Sequence, residues 1–256
     1  VSNHLLLTFQ MLSNPNLKSE NYTDAVAYQL RKRIQNREIR VGIIGLGYVG
    51  LPLAIRFSEE GFKTIGLDID TEKIDKLNRG ESYIRHIDLE KIINTVKNGF
   101  TATNKFNEIA NIDVILICVP TPLGPHNEPD LSYIHDTLDT IRPYLRENQL
   151  LILESTTYPG TTAEEIVPFV ESITTKSQVP NSNSRFIIGE NFFIGYSPER
   201  EDPGNKHYST KTIPKVVSGF TPNCLEITQT LYDQVVDTTV PVSSPRVAEM
   251  TKILEN

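Results

Sequence analysis

The chain has 256 residues, 38% of them hydrophobic and 22% charged, an ordinary composition for one large soluble domain with a sizeable core. Its formal net charge of -7 argues against nucleic acid or an anionic membrane as main partner, since such proteins carry a basic excess. Two cysteines, Cys118 and Cys224, are too few for a disulfide framework or a thiolate metal site, which fits a reducing, cytoplasmic setting and no bound metal.

The first residues, including the run "HLLLTFQML" at 4 to 12, lack the basic leader and cleavage site of a signal peptide and read as a loosely ordered extension. No apolar run approaches the roughly 18 residues of a membrane helix. Within an N-terminal segment 1 to 38, "NYTDAVAYQLRKRIQNREIR" predicts an amphipathic helix with Ala25, Val26, Leu30 and Ile34 on one face. Arg31, Lys32 and Arg33 then fall on a solvated face.

From residue 39 to 241 short β-branched runs alternate with helical patterns, which predicts a Rossmann-like α/β domain: a doubly wound, mostly parallel sheet with helices on both faces. The predicted strands are "VGIIG", "KTIGLD", "DVILICVP", "LLILEST", the "NFFIGY" run, "KVVSG" and "DTTVPV". Helices are expected over residues 48 to 60, near 71 to 79, over 131 to 145, near 161 to 173 and near 222 to 233. The polar stretch "TTKSQVPNSNSRF", residues 174 to 186, reads as a surface loop. In the closing segment 242 to 256, "SSPRVAEMTKILEN" at 243 to 256 opens a helix, with Ser244 as cap, Pro245 at its first position and Val247, Met250, Ile253 and Leu254 at helical spacing. A start at Val1 and an end inside that helix predict a fragment or processed product.

"VGIIGLGYVGLPLAIRFSEEG" sets Gly45, Gly47 and Gly50 as G-x-G-x-x-G after a strand and at the start of a helix. In that context Gly45 allows the turn, Gly47 the approach of a pyrophosphate and Gly50 the packing of helix on strand, while Tyr48 and Val49 offer backbone amides to the anion. A glycine turn without a ligand is the competing explanation. Against it, the second strand ends at the expected distance in Asp68, whose carboxylate can accept from both ribose hydroxyls of an adenosine. Asp68 and Asp70 would repel a 2′-phosphate, so NAD is favoured over NADP. Lys73 is either a surface lysine or a neighbour of that ribose. Three polar clusters follow strands, at 118 to 123, 154 to 162 and 196 to 205, and ligands of open α/β sheets gather at such ends. Loop chemistry alone also explains prolines and threonines there. Lys252 and Asn256, four apart, share one helix face, whether functional or merely exposed.

Taken together, "GLGYVGLPLA", "NRGESYI", "CVPTPL", "EPDLSYI", "ESTTYPGTT", "SPEREDPGNK", "TIPKVVSG" and "VPVSSPRVAEMTKILEN" resemble the UDP-glucose/GDP-mannose dehydrogenase family of nucleotide-sugar 6-dehydrogenases, most of all its members acting on UDP-N-acetylglucosamine. The resemblance implies oxidation of a sugar C6 alcohol to a carboxylate with two NAD, through an aldehyde and a cysteine thioester. By motif it implies that Thr156 helps place the hydrolytic water and also meets the cofactor, and that Glu199 is the base or orients that water. It implies that Lys252 and Asn256 stabilise the C6 oxyanion, and that Val119, Pro120 and Thr121 line the nicotinamide side. The family's nucleophilic cysteine and uridine-binding half lie beyond residue 256, so neither Cys118 nor Cys224 inherits that role. The closing helix would continue as the central helix of a homodimer, and the product would feed a surface polysaccharide. Rival readings are a relative using UDP-N-acetylmannosamine or UDP-glucose, and a dinucleotide-sensing module without catalysis.

Overall fold

A computed structural model describes residues 15–85, 87–126, 128–176, 183–199 and 210–255. The run at 4 to 12, part of the cluster at 196 to 205, and Asn256 lie outside the described residues.

The chain opens with α1 (Pro15–Gln35), followed by β1 (Arg40–Ile44), α2 (Gly50–Glu59), β2 (Lys63–Leu67) and α3 (Thr71–Asn78). Next come α4 (Leu89–Lys97), β3 (Thr101–Thr103), β4 (Val114–Ile117), α5 (Ser132–Ile141) and β5 (Leu150–Leu153). A π turn (Thr162–Ile166) leads into α6 (Val167–Glu171). The remainder comprises β6 (Thr174–Lys176), β7 (Asn183–Arg185), β8 (Phe193–Tyr196), β9 (Lys215–Gly219), α7 (Pro222–Tyr232), β10 (Thr239–Pro241) and α8 (Pro245–Glu255).

Among the described residues eight strands form one sheet in the order β10-β9-β8-β5-β4-β1-β2-β3. Every neighbouring pair is parallel except β8 and β9, which run antiparallel with Gly195 opposite Gly219. β4, β5, β8 and β9 are buried along their whole length, as strands covered on both faces must be. From β1 the chain winds outward to β2 and β3, then returns to lay β4 on the other side of β1. That reversal opens a crevice at the carboxyl ends of β1 and β4, where open α/β sheets bind ligands.

Four sequence expectations need correction. The buried face of α1 is Ala27, Leu30 and Ile34, whereas Ala25 is exposed. The basic run is not merely solvated, because Arg31 pairs with Glu226 of α7 and Arg33 pairs with Asp113 at 3.0 Å. The stretch 174 to 186 includes an antiparallel pair, β6 with β7, in which Thr174 faces Arg185. The helix expected over 131 to 145 stops at Ile141 and tightens into a 3₁₀ turn, Arg142–Tyr144, since Pro143 has no N–H to continue the helix ladder. α4, β3 and a 3₁₀ turn at Phe106–Asn111 were not expected at all.

The closing helix is capped by Ser244, whose Oγ accepts from Val247 N at 3.4 Å. It is held by Pro245, Ala248 and Glu249, which are buried. Glu249 is fully buried and accepts from Gly160 N at 2.5 Å, Thr162 N at 2.9 Å and Thr162 Oγ1 at 2.6 Å. The apolar stripe of Val247, Met250, Ile253 and Leu254 faces outward, between 41% and 79% exposed.

Candidate cofactor site

The β1 strand runs directly into a turn in which Gly45 sits at φ +89°, backbone that side chains rarely adopt. A Cβ on Gly50 would lie 1.9 Å from the carbonyl oxygen of Gly45, so only glycine lets α2 start this close to the strand. At Gly47 the opposite holds, because a Cβ would meet no protein atom within 4 Å. That empty space belongs to a cavity of about 690 Å³. The N-terminus of α2 faces it with no side-chain cap, leaving its dipole and first amides for an anion.

The cavity crosses the sheet from β2 to β8. Its lining includes Asp68, Ile69, Asp70 and Lys73 after β2; Gly45, Gly47, Tyr48 and Val49 after β1; Val119, Pro120 and Thr121 after β4; Glu154, Ser155 and Thr156 after β5; and Glu199 after β8. The structure thus gathers every expected cofactor residue around one space except Gly50, which lies behind the turn. It brings Thr156 and Glu199 to the same wall. Lys252 is half-buried on α8 and is not part of the lining.

At one end Asp68, only 7% exposed, accepts from Leu46 N at 2.8 Å through Oδ2 and from Asp70 N at 2.9 Å through Oδ1. Each oxygen keeps a further lone pair for a ligand hydroxyl. Lys73 Nζ lies 3.8 Å from Asp68 and 3.9 Å from Asp70, and 5.9 Å from the Tyr83 ring centre. Asp70 also caps α3, accepting from Glu72 N and Lys73 N. Tyr83 donates its hydroxyl to Leu46 O. Burial, then Asp68 and Asp70, push its ionisation upward, so it remains a donor.

Toward the other end hydroxyls tie the loops together: Thr121 Oγ1 donates to Thr156 O at 2.6 Å, and Ser155 Oγ to Val119 O at 2.6 Å. Part of the threonine and serine content after β4 and β5 is therefore loop chemistry, while the same residues line the cavity. Below them Glu154, 0% exposed, meets Lys215 Nζ at 2.8 Å and the Tyr232 hydroxyl. Burial, then Glu154 and Glu199, raise the Cys118 thiol well above its ordinary range. Burial likewise raises Cys224, whose sulfur accepts from Ile194 N at 3.3 Å. Neither is an activated thiolate.

The sequence reading missed one further wall. Tyr133, Asp136, Thr137 and Thr140 of α5 line the cavity at helical spacing, a signal present in "SYIHDTLDT" that only the position of α5 gives meaning.

A glycine turn at a helix N-terminus, an acidic residue ending the second strand and a cavity at the sheet's reversal define a dinucleotide-binding domain of the Rossmann class. The chain belongs to the UDP-glucose/GDP-mannose dehydrogenase family: residues 39–236 match that family's NAD-binding domain, and NAD is its cofactor. Among curated relatives it is 38% identical over 217 residues to protein CapL of Staphylococcus aureus, covering 84% of this chain and 48% of that protein. It is 35% identical over 221 residues to the UDP-N-acetyl-D-glucosamine 6-dehydrogenase of Pseudomonas aeruginosa, covering 86% and 49%. The solved UDP-N-acetyl-mannosamine dehydrogenase Cap5O of S. aureus superposes with a TM-score of 0.75 at 29% identity, over 85% of this chain and 50% of that one. The chain therefore spans about half the length of these relatives. Among the described residues no helix is long and apolar enough to cross a membrane.

Proposed function

We propose that this chain is the cofactor-binding part of a cytoplasmic UDP-N-acetylglucosamine 6-dehydrogenase, which converts the C6 alcohol to the carboxylate with two NAD and one water. In this reading residues 39 to 241 form the NAD domain, 1 to 38 an extension, and 242 to 256 the start of a central helix through which the complete protein dimerises. Neither nucleic acid nor a membrane is a partner. The observation that carries the reading is the wall shared by Thr156 and Glu199 at the end of the cavity remote from Asp68. With the adenosine ribose at Asp68 and the pyrophosphate at the glycine turn, a dinucleotide laid across the sheet places its nicotinamide against that wall.

Bound NAD supplies the hydride acceptor. Glu199 takes a proton from, or orients, the attacking water, and Thr156 holds that water with its hydroxyl. Lys252 of the closing helix, together with Asn256, donates to the developing C6 oxyanion. A thioester route needs a thiolate that neither buried cysteine supplies, so the nucleophile belongs to another segment of the complete protein.

The likeness to a solved UDP-N-acetyl-mannosamine dehydrogenase supports a second substrate reading. The test is to give the complete protein NAD with UDP-N-acetylglucosamine, UDP-N-acetylmannosamine or UDP-glucose and to follow NADH and the product acid. Two NADH per UDP-N-acetylglucosamine, at the highest kcat/KM, is the expected result. Preference for another sugar transfers the assignment to it, and NAD binding without oxidation of any sugar leaves a sensing module.

A further inference from the structure

Burying an ion pair is seldom a net gain in stability, because desolvation consumes most of the Coulombic attraction. The pair at the cavity floor is deeply buried. Lys215, at the start of β9, is 7% exposed and Glu154 is 0% exposed. The Lys215 ammonium donates to Glu154 Oε2 at 2.8 Å and also to the Pro198 carbonyl at 3.3 Å, and lies 4.9 Å from the Tyr232 ring centre. Tyr232 donates to the other carboxylate oxygen. One cation therefore grips the ends of two neighbouring strands, β5 through Glu154 and β8 through Pro198. Thr156 stands two residues beyond the first grip, and Glu199 one residue beyond the second.

The same strand ends are stitched on their other sides by uncharged bonds. Ser197 N donates to Leu153 O at 3.1 Å and Ser197 Oγ to Val216 O at 2.7 Å. These bonds join β8 to β5 and β9 without any charged group. Of the charged pair, Glu154 is the member that lines the cavity.

We propose that Lys215 is a positioning residue: by holding the Glu154 carboxylate and the Pro198 carbonyl at once, it sets the separation of Thr156 and Glu199 where the nicotinamide would lie. This rests on the reading of that wall as the nicotinamide end. Lys215 touches no ligand itself and acts through the backbone it fixes.

The experiment compares two ligands on this chain. ADP-ribose reports the Asp68 and glycine-turn end alone, and NADH adds the nicotinamide, whose fluorescence also reports its surroundings. Both are titrated into the parent chain, Lys215→Met, and the double variant Glu154→Gln with Lys215→Met, which leaves no unpaired buried charge and keeps the test valid if the single variant fails to fold. The expected result is an ADP-ribose dissociation constant within about twofold of the parent and an NADH constant raised roughly fivefold or more, with bound NADH emission moved toward that of free NADH. Equal weakening of both ligands would make the pair a structural support and overturn the proposal, as would unchanged NADH binding and emission. A parent chain that binds neither ligand would instead remove the cofactor site on which the inference rests.

Discussion

The two ends of the cavity hold their carboxylates by different means. Asp68 is braced by main-chain amides from Leu46 and Asp70, groups that the turn and the start of α3 deliver whatever side chains they carry. Glu154 is braced by side chains, Lys215 and Tyr232, that lie 61 and 78 positions away in the chain. The first arrangement is local and tolerant of its neighbours; the second exists only when β5, β9 and α7 are all in place. On the proposed reading, recognition of the common part of the dinucleotide is built on backbone, and the wall facing the reacting end on tertiary packing.

The strongest break at the local end is Gly50→Ala. A methyl 1.9 Å from Gly45 O forces the turn apart, costing about 1–3 kcal/mol of stability, and NAD affinity should fall roughly a hundredfold or more. Thermal melting and calorimetric titration read both; a variant that binds NAD normally would show that α2 need not pack on the turn. Next, Asp68→Ala should weaken NAD by about 1–3 kcal/mol, since the ribose hydroxyls lose a charged acceptor. Unchanged affinity would take Asp68 out of the site.

The packed end should show itself in alkali. Burial, and the nearby Glu154, raise Cys118 and Tyr232 well above their ordinary values of 9.0 and 10.0. Ionisation is harder in the folded chain than in the unfolded one, so the stability these groups give is complete below about pH 9 and is lost progressively as pH rises past it. Tm should therefore fall as pH rises from about 9 to 10.5, and both cysteines should resist iodoacetamide at pH 7.5 in the native state. Rapid native alkylation of Cys118 would contradict its burial. The smallest effect is expected from Lys73→Ala, at about 0.5 kcal/mol in NAD affinity, because that ammonium is partly exposed and makes only long ion pairs with Asp68 and Asp70. A loss as large as that of Asp68→Ala would make Lys73 a principal ligand contact.

The same contrast explains what could be read in advance. The strand, glycine turn and Asp68 were legible because each signal lies within one βαβ unit and depends on nearest neighbours. β3 and the 3₁₀ turn at Phe106–Asn111 escaped because the strand has three residues and the turn has no period of its own, whereas α4 did carry a signal, Leu89, Ile92, Ile93 and Val96 at helical spacing. The pairing of β6 with β7 escaped because both strands are polar. On α1 the sequence pattern pointed to Ala25, and packing against α7 buries Ala27 instead, part of a turn away. Nothing in "KVVSG" marks Lys215 as buried; its burial follows from a partner on β5 that no local pattern reveals. The α5 wall was visible only as one more helix face.

The central claim is that Asp68 receives the adenosine ribose of NAD while the glycine turn receives its pyrophosphate. Calorimetric titration of this chain with NAD and with NADP tests it most directly, because the two differ only in a phosphate on that ribose. The account predicts one NAD per chain and binding of NADP weaker by roughly tenfold or more, as Asp68 and Asp70 repel the added charge. Equal affinity for the two, or a preference for NADP, would contradict it.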